Sequence, residues 1–498
     1  MADRMLPMNE TPRTGEKLPL YEELAGKLAF LIEKGTYRPG EKVPSIRAMS
    51  RQMQVSVNTV KEAYVLLENR RLVEARPQSG YYVRGRLPDE LPPPAISPGE
   101  VAPVSVNTGA VAAQVMRDAM TPNLTYFGCA MPNPEQLPID KLIRMLASET
   151  RRFRHQSVSY AMPPGIPRLR QQVARRLVIS GCALRPEEIV ITEGCSEAVF
   201  LALRTVCRPG DTIAVESPVY YNFLQIIQEL GLRTLEVPSS PADGMSLEVL
   251  RYALDHNRVS AVLTVSNFNN PLGFVMPDAR KRELVELLAT RDIPLIEDDI
   301  YGDLAFDSTR PSVAKQWDRK GLVLLCSSFS KTIAPGYRIG WIAPGRFQEQ
   351  IERLKMMTTI ASPAPTQMAV AEFLANGGYD HHLRAIRKVY AGKVAQMAEA
   401  VGRHFPAGTR MSRPRGGFSL WVEMPEGVDA MRLYHQALAA GISVAPGGLF
   451  SATGKFGNCV RLNAAFWSER EERAVATLGR LASGLLPGAA ATAAGDGL

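Results

Sequence analysis

The chain has 498 residues, 45% of them hydrophobic and 22% charged, and a formal net charge of +8. That length exceeds one ordinary core, so two or three domains are expected, and the charge leans only weakly toward an anionic partner. No apolar run approaches the ~20 residues of a membrane span, the polar start MADRMLPMNETPRTGEK lacks the apolar centre of a secretory signal, and the cysteines are scattered without a CxxC pair; a membrane protein, a disulfide framework and a metal site are therefore not expected, and a cytoplasmic protein is.

Leu20, Leu24, Leu28, Leu31 and Ile32 recur at helical spacing and predict a first amphipathic helix, ended by YRPG at residues 37–40. Ser45 is a suitable N-cap for a second helix through Ile46, Met49 and Met53. Ser56 caps a third, with Val57, Val60, Tyr64 and Leu67 inward and Asn58, Thr59, Lys61 and Glu62 outward. Two short apolar pieces, 72–75 and 80–83, flank Arg76 and predict a hairpin.

Three helices and a hairpin predict a winged helix-turn-helix, whose third helix enters the major groove; a small protein-interaction domain has the same outline, and charge alone does not separate the two. The string from Pro19 to Val83, with RPG, PSxR, VSxxTV, LVE and SGYYV, resembles the GntR family of bacterial DNA-binding domains. The resemblance implies double-stranded operator DNA as partner, with contacts at Arg38, Ser45, Arg47, Ser56, Asn58, Thr59, Lys61 and Arg76. Val57 departs from the arginine many relatives carry there.

Residues 85–120 are rich in proline, without helical periodicity as far as Val106, and are expected to form a semi-rigid spacer. From Ile189 on, strand-like runs alternate with helical ones: EIVITEG, TIAVESP, AVLTVSN, PLIEDD and LVLLCSS. That alternation predicts a parallel sheet covered by helices, with ligands at the C-terminal ends of its strands. The chemistry-bearing residues fall at those ends. Gly194, Cys195 and Ser196 open a helix whose N-terminus suits a phosphate; Asn270, Asp298 and Tyr301 end later strands; Lys331 lies in SSFSKTIAPGYRIGW beside Ser328, Ser330 and Arg338. An amine so flanked suits a Schiff base to an aldehyde cofactor whose anionic group the hydroxyls and guanidinium clamp.

In their order, GCSEA, SPVYYN, NNPLG, EDDIY, SFSKTIAPGYRIGW and CVRLN resemble the fold type I, class I aminotransferases, from about Tyr126 to Leu485. The resemblance implies pyridoxal 5'-phosphate as cofactor, Lys331 as the Schiff-base lysine, Asp298 on the pyridine nitrogen, and Tyr301 and Asn270 on the ring oxygen. It further implies Tyr220 over the ring, Cys195, Ser196, Ser328 and Arg338 on the phosphate, Tyr160 on a neighbouring subunit's phosphate, and Arg461 and Asn270 on the ligand, with Arg461 gripping its carboxylate.

Taken together, head and body look like the MocR subfamily of GntR-family transcriptional regulators. The expected organisation is a mainly α winged helix-turn-helix at 1–84, a linker at 85–120, and an α/β transferase fold at 121–485 with a mostly parallel large-domain sheet and a smaller α+β domain. Residues 486–498 are expected to be disordered. The resemblance implies a domain-swapped, head-to-tail homodimer that senses an amino acid or amine; the alternative is a working aminotransferase with an accessory DNA-binding head.

Overall fold

Leu24, Ala25, Leu28 and Ala29 share one side of the helix Leu20–Glu33 and meet Val60, Ala63, Tyr64 and Leu67 of the helix Val57–Asn69 in one apolar cluster. The coordinates are a computed structural model describing residues 19–33, 36–37, 41–69, 72–76, 79–83, 91–98, 102–106, 109–118, 121–307 and 309–487. The chain divides into two compact units between Glu90 and Leu91.

In the first unit, Ser45 Oγ accepts Ala48 N at 3.2 Å to start the helix Ile46–Met53, which Gln54 ends at φ 52°. Ser56 Oγ accepts Thr59 N at 3.0 Å at the start of the third helix. The strands Val73–Arg76 and Gly80–Val83 pair antiparallel. The chain before the second helix adds to their edge: Val43 N donates to Tyr81 O at 3.0 Å and Val83 N to Glu41 O at 2.8 Å. Tyr64 ties helix to hairpin, stacking on Tyr81 at 4.8 Å and donating to Pro44 O at 2.6 Å. One side chain changes face relative to the sequence reading. Val57 is 50% exposed: it is the first residue of its helix, and the inward stripe is filled one and two turns later by Val60 and Tyr64.

The second unit begins with the proline-rich segment, and here the structure departs from the spacer that composition predicts. Pro92 O accepts Met411 N at 2.9 Å, Leu91 O accepts Arg413 Nη2 at 3.0 Å, Ala95 N donates to Glu423 Oε2 at 2.7 Å, and Pro94 is buried. Further on, Pro103 O accepts Arg233 Nη2 at 2.7 Å, and Val104–Ser105 pairs antiparallel with the strand Arg233–Ser240. The helix Gly109–Asp118 then buries Ala112 and Val115. Proline withholds a donor but not its carbonyl, so a proline-rich segment can still be hydrogen-bonded from outside and lie as a strap on a folded surface.

The main sheet of the body is mixed. Its order runs from the edge strand Val104–Ser105 through Arg233–Ser240, Thr212–Ser217, Val259–Thr264, Leu295–Asp298, Val323–Ser328 and Gly340–Ala343 to Val190–Thr192. The five strands from Arg233–Ser240 to Val323–Ser328 are parallel, and Gly340–Ala343 runs against both its neighbours. Strands such as Val323–Ser328 are buried along their whole length, which is why they read as continuous apolar runs. A smaller antiparallel sheet joins Arg410–Met411, Ser419–Glu423, Cys459–Asn463 and Ala445–Pro446, covered by the helices Ala430–Ala439 and Glu469–Gly484. Leu485 and Leu486 pack on the core, and the tail read as disordered lies outside the described residues from 488 on. Among the described residues no helix is long and apolar enough to cross a membrane.

Candidate functional site

The parallel strands all end on one side of the sheet, and the loops that follow them enclose a cavity of about 670 Å³ of empty volume, part of it open to solvent. Its walls include Cys195, Ser196, Tyr220, Asn270, Asp298, Tyr301, Ser328, Lys331 and Arg338, residues the sequence placed at separate strand ends. Phe223, Val265, Ile300, Ser330 and Pro335 complete it.

Lys331 Nζ is half-buried and donates to Ala130 O at 2.6 Å. Burial, reinforced by the Arg461 charge, pulls its pKa down to about 8, so a larger fraction is the neutral nucleophilic amine at physiological pH than for an exposed lysine. The loop after it is bolted down: Tyr379 OH lies 3.0 Å from Thr332 Oγ1 and His382 Nε2 lies 2.8 Å from Thr332 O. Asp298 is buried and accepts Ile300 N at 2.8 Å. Burial pushes its pKa up to about 7 against the lowering effect of that bond, so the site favours a cationic neighbour that would restore the carboxylate. The Cys195 thiol lies against this carboxylate, and burial drives its pKa well above the usual thiol value. The Cys195 thiol is thus engaged with Asp298, while its backbone N–H stands at the uncapped start of its helix.

One end of the cavity combines backbone donors with an arginine. The helix Cys195–Val206 starts at Gly194 with no side-chain cap, leaving its first N–H groups open at the positive end of the helix dipole. Gly194 has φ +92°, and a Cβ there would lie 2.6 Å from Arg338 Nη2. Arg338, itself left-handed at φ 53°, donates through Nη2 to Glu193 O at 2.5 Å, which holds its guanidinium beside that helix start. Ser328 Oγ accepts Ser330 N at 3.2 Å, and Asn222 Nδ2 donates to Ser196 Oγ at 3.2 Å; Asn222 closes the SPVYYN motif but was given no role from the sequence, because an asparagine at the second position of a helix carries no mark of its partner.

Arg461 is fully buried on the strand Cys459–Asn463, one residue opposite Trp421 and Ala445. Its Nη1 donates to Asn270 Oδ1 at 3.3 Å and its Nη2 to Gly128 O, while its Nε is buried without a partner. A buried guanidinium with an orphaned donor, ringed by Tyr221 and Phe450 at 5.9 and 5.6 Å, fits an incoming carboxylate. Tyr301 and Asn270 meet beside it, and Tyr301 packs edge-on against Phe418 at 5.7 Å. Tyr220 has its phenol raised to about 12 by burial. Tyr160 stands apart from this cavity and is 76% exposed. The residues present therefore fit pyridoxal phosphate: a lysine amine, a carboxylate needing a cation, an uncapped helix start with an arginine, and a carboxylate anchor. Among the described residues no cluster of His, Cys, Asp and Glu could hold a metal ion.

In the N-terminal unit, Arg47, Ser56, Asn58 and Lys61 are exposed around the start of the second and third helices. Ser45 and Ser56 already use Oγ as helix caps, and Ser56 Oγ lies 2.8 Å from Thr59 Oγ1. Arg38 and the side chain of Arg76 lie outside the described residues.

Residues 135–478 match the Aminotransferase class I and II family, and residues 20–83 match the gntR family of bacterial regulatory proteins. The HTH-type transcriptional regulator YjiR of Escherichia coli is 39% identical over 445 residues, 89% of this chain and 94% of the relative. The 2-aminoadipate transaminase of Thermus thermophilus is 30% identical over 379 residues, 75% of this chain and 94% of that enzyme. Among solved structures, the kynurenine aminotransferase of Pyrococcus horikoshii superposes with a TM-score of 0.71 at 27% identity, over 76% of this chain and 95% of the other. The α-aminoadipate aminotransferase LysN of Thermus thermophilus, complexed with N-(5'-phosphopyridoxyl)-L-leucine, gives 0.69 at 28% identity, over 76% and 97%.

Proposed function

The chain belongs to the class I and II aminotransferases and carries a gntR-family regulatory domain ahead of that body, and on this premise we propose that it is a transcriptional regulator that senses an amino acid or amine through pyridoxal phosphate. The observation that carries the reading is the convergence of Lys331, Asp298 and Asn270 on one cavity, with the buried Arg461 hydrogen-bonded to Asn270 behind its wall, in a chain whose other unit is a helix-turn-helix.

When bound, the cofactor supplies an aldehyde that joins reversibly to amines and a ring that withdraws electrons from them. Lys331 would hold it covalently, Asp298 would keep its ring nitrogen protonated, and Tyr301 and Asn270 would bond its ring oxygen. The N–H groups at Cys195 and Ser196, Ser328 and Arg338 would take its phosphate, with Tyr220 across its face. Arg461 would grip the ligand carboxylate as a two-pronged fork, a geometry lysine cannot reproduce. The exposed Tyr160 supports a homodimer in which each subunit completes its neighbour's phosphate site, and we read the dimer as head-to-tail with exchanged heads. On DNA, Asn58 and Thr59 would face base edges, and Arg38, Arg47, Lys61 and Arg76 phosphates, with Ser45 and Ser56 at the helix starts.

A ligand changes operator affinity only by binding one arrangement of the protein better than another. Operator binding measured at saturating cofactor should therefore change with at least one amino acid or amine for the unaltered chain, and with none for Lys331→Ala. Equal affinity across such a panel sinks the sensor. The complete set of reactive residues, with the transaminase relative, also supports a working aminotransferase as a second reading. Sustained conversion of an amino acid with a 2-oxo acid favours the enzyme, and a spectral change that stops after one half-reaction favours the sensor.

A further inference from the structure

Every backbone carbonyl from Phe127 to Met131 has a partner that belongs to the ligand site or to its strand. Phe127 O accepts Asn463 N at 3.1 Å, and Gly128 O accepts Arg461 Nη2. Cys129 O accepts Asn463 Nδ2 at 2.7 Å, Ala130 O accepts Lys331 Nζ at 2.6 Å, and Met131 O accepts Asn463 Nδ2 at 2.8 Å. One buried amide thus fixes the carbonyls on either side of the one that receives the lysine. Its own Oδ1 is committed to Ala465 N at 2.8 Å, so the amide cannot turn over without losing three bonds. On the other side the strip is blocked. A Cβ on Gly128 would lie 2.5 Å from Ser443 Oγ and 3.2 Å from Val444 C, which leaves no room to slide.

Lys331 and Arg461, 130 places apart in sequence, therefore rest on the same short strip of acceptors. A carboxylate arriving at Arg461 has to replace Gly128 O and Asn270 Oδ1 with equal or better geometry. That exchange depends on how far Gly128 O stands from the guanidinium, and hence on the amide that sets the strip.

We propose that Asn463 is a positioning residue: it holds Phe127–Met131 where Arg461 can trade Gly128 O for a ligand carboxylate and where Ala130 O receives the Lys331 amine whenever that amine is free. This rests on the reading of Lys331 as the cofactor lysine and Arg461 as the carboxylate anchor. Asn463→Asp keeps the size and the Ala465 N acceptor but turns two donors into an oxygen that repels Cys129 O and Met131 O; Asn463→Ser is the milder companion, available if the first does not fold.

The test uses the full chain loaded with pyridoxal phosphate and follows the cofactor absorbance during titration with L-norleucine and with n-pentylamine, the same side chain without the carboxylate. The ratio of the two affinities isolates the carboxylate. We expect that ratio to fall about tenfold in Asn463→Asp and less in Asn463→Ser, and the pH midpoint of the lysine-bound cofactor's absorbance to shift in both. A merely structural role weakens both probes alike and leaves ratio and midpoint in place, and that result overturns the proposal. If the unaltered chain stays colourless with the cofactor, the reading of Lys331 fails and takes this proposal with it; if it colours and the variants behave as it does, only the positioning role fails.

Discussion

The two units solve opposite problems with charge. The head keeps its polar groups outside a single apolar cluster, so that Asn58, Lys61 and Arg47 remain in water. The body does the reverse: Arg461, Asp298 and Asn463 are buried, each against a named partner. A surface of exposed cations recognises a large polyanion by charge and is open to competing ions. A buried fork recognises one small anion by geometry and is shielded from them. On the proposed function, one chain would therefore hold two anion sites that respond to different variables, salt for one and ligand shape for the other.

Four measurements break or sharpen that contrast. If a dimer neutralises about six to eight phosphates, the log–log slope of operator affinity against salt should be roughly −5 to −7, while amino-acid affinity measured in the same buffers barely moves. Equal slopes for both would erase the distinction. Next, Arg461→Gln should weaken a carboxylate-bearing ligand by about 2–3 kcal/mol, roughly 30- to 150-fold, and leave operator binding without ligand unchanged.

The third measurement concerns stability of the chain without cofactor. Asp298 has a folded pKa of about 7, above its ordinary 3.8, so the folded state retains a proton that the unfolded state has lost between those values. Its contribution to stability is fully present below about pH 4 and is lost as pH rises to 7. Asp298→Asn removes the ionisable group, and its melting temperature should pull ahead of the unaltered protein's across that window, by the equivalent of about 2–4 kcal/mol at pH 8. Parallel curves would show that Asp298 is not buried as described. The smallest effect belongs to the head: Ser45→Ala should cost its thermal stability about 1 kcal/mol through the lost cap, with no change in the cofactor spectrum.

How much of this was readable in the sequence follows from what kind of atom does the work. Ser45 and Ser56 were legible as caps because a side chain serves a backbone three residues away, a distance that sequence spacing encodes. Lys331, Asp298 and Asn270 were legible because each follows an apolar strand, and parallel strands bring their ends together. The carbonyls of Gly128 and Ala130 were not legible, because an acceptor on the backbone carries no residue signature. Nor was the strand Gly340–Ala343, which runs antiparallel directly after the loop of the lysine and is too short for its own periodicity. Its Gly340 could have been a clue: a Cβ there would lie 2.5 Å from Gly194 C, so only glycine lets this strand press against the start of the anion helix.

The strap formed by residues 91–98 and 102–105 decides where the molecule can be taken apart. Severing the chain between 84 and 90 leaves both folded units whole. Severing it after Val106 strips Leu91 and Pro94 from their seats and removes the edge strand from Arg233–Ser240. The body left behind would present a bare row of peptide groups to its neighbours and clump, so an isolated sensing module has to begin upstream of its prolines.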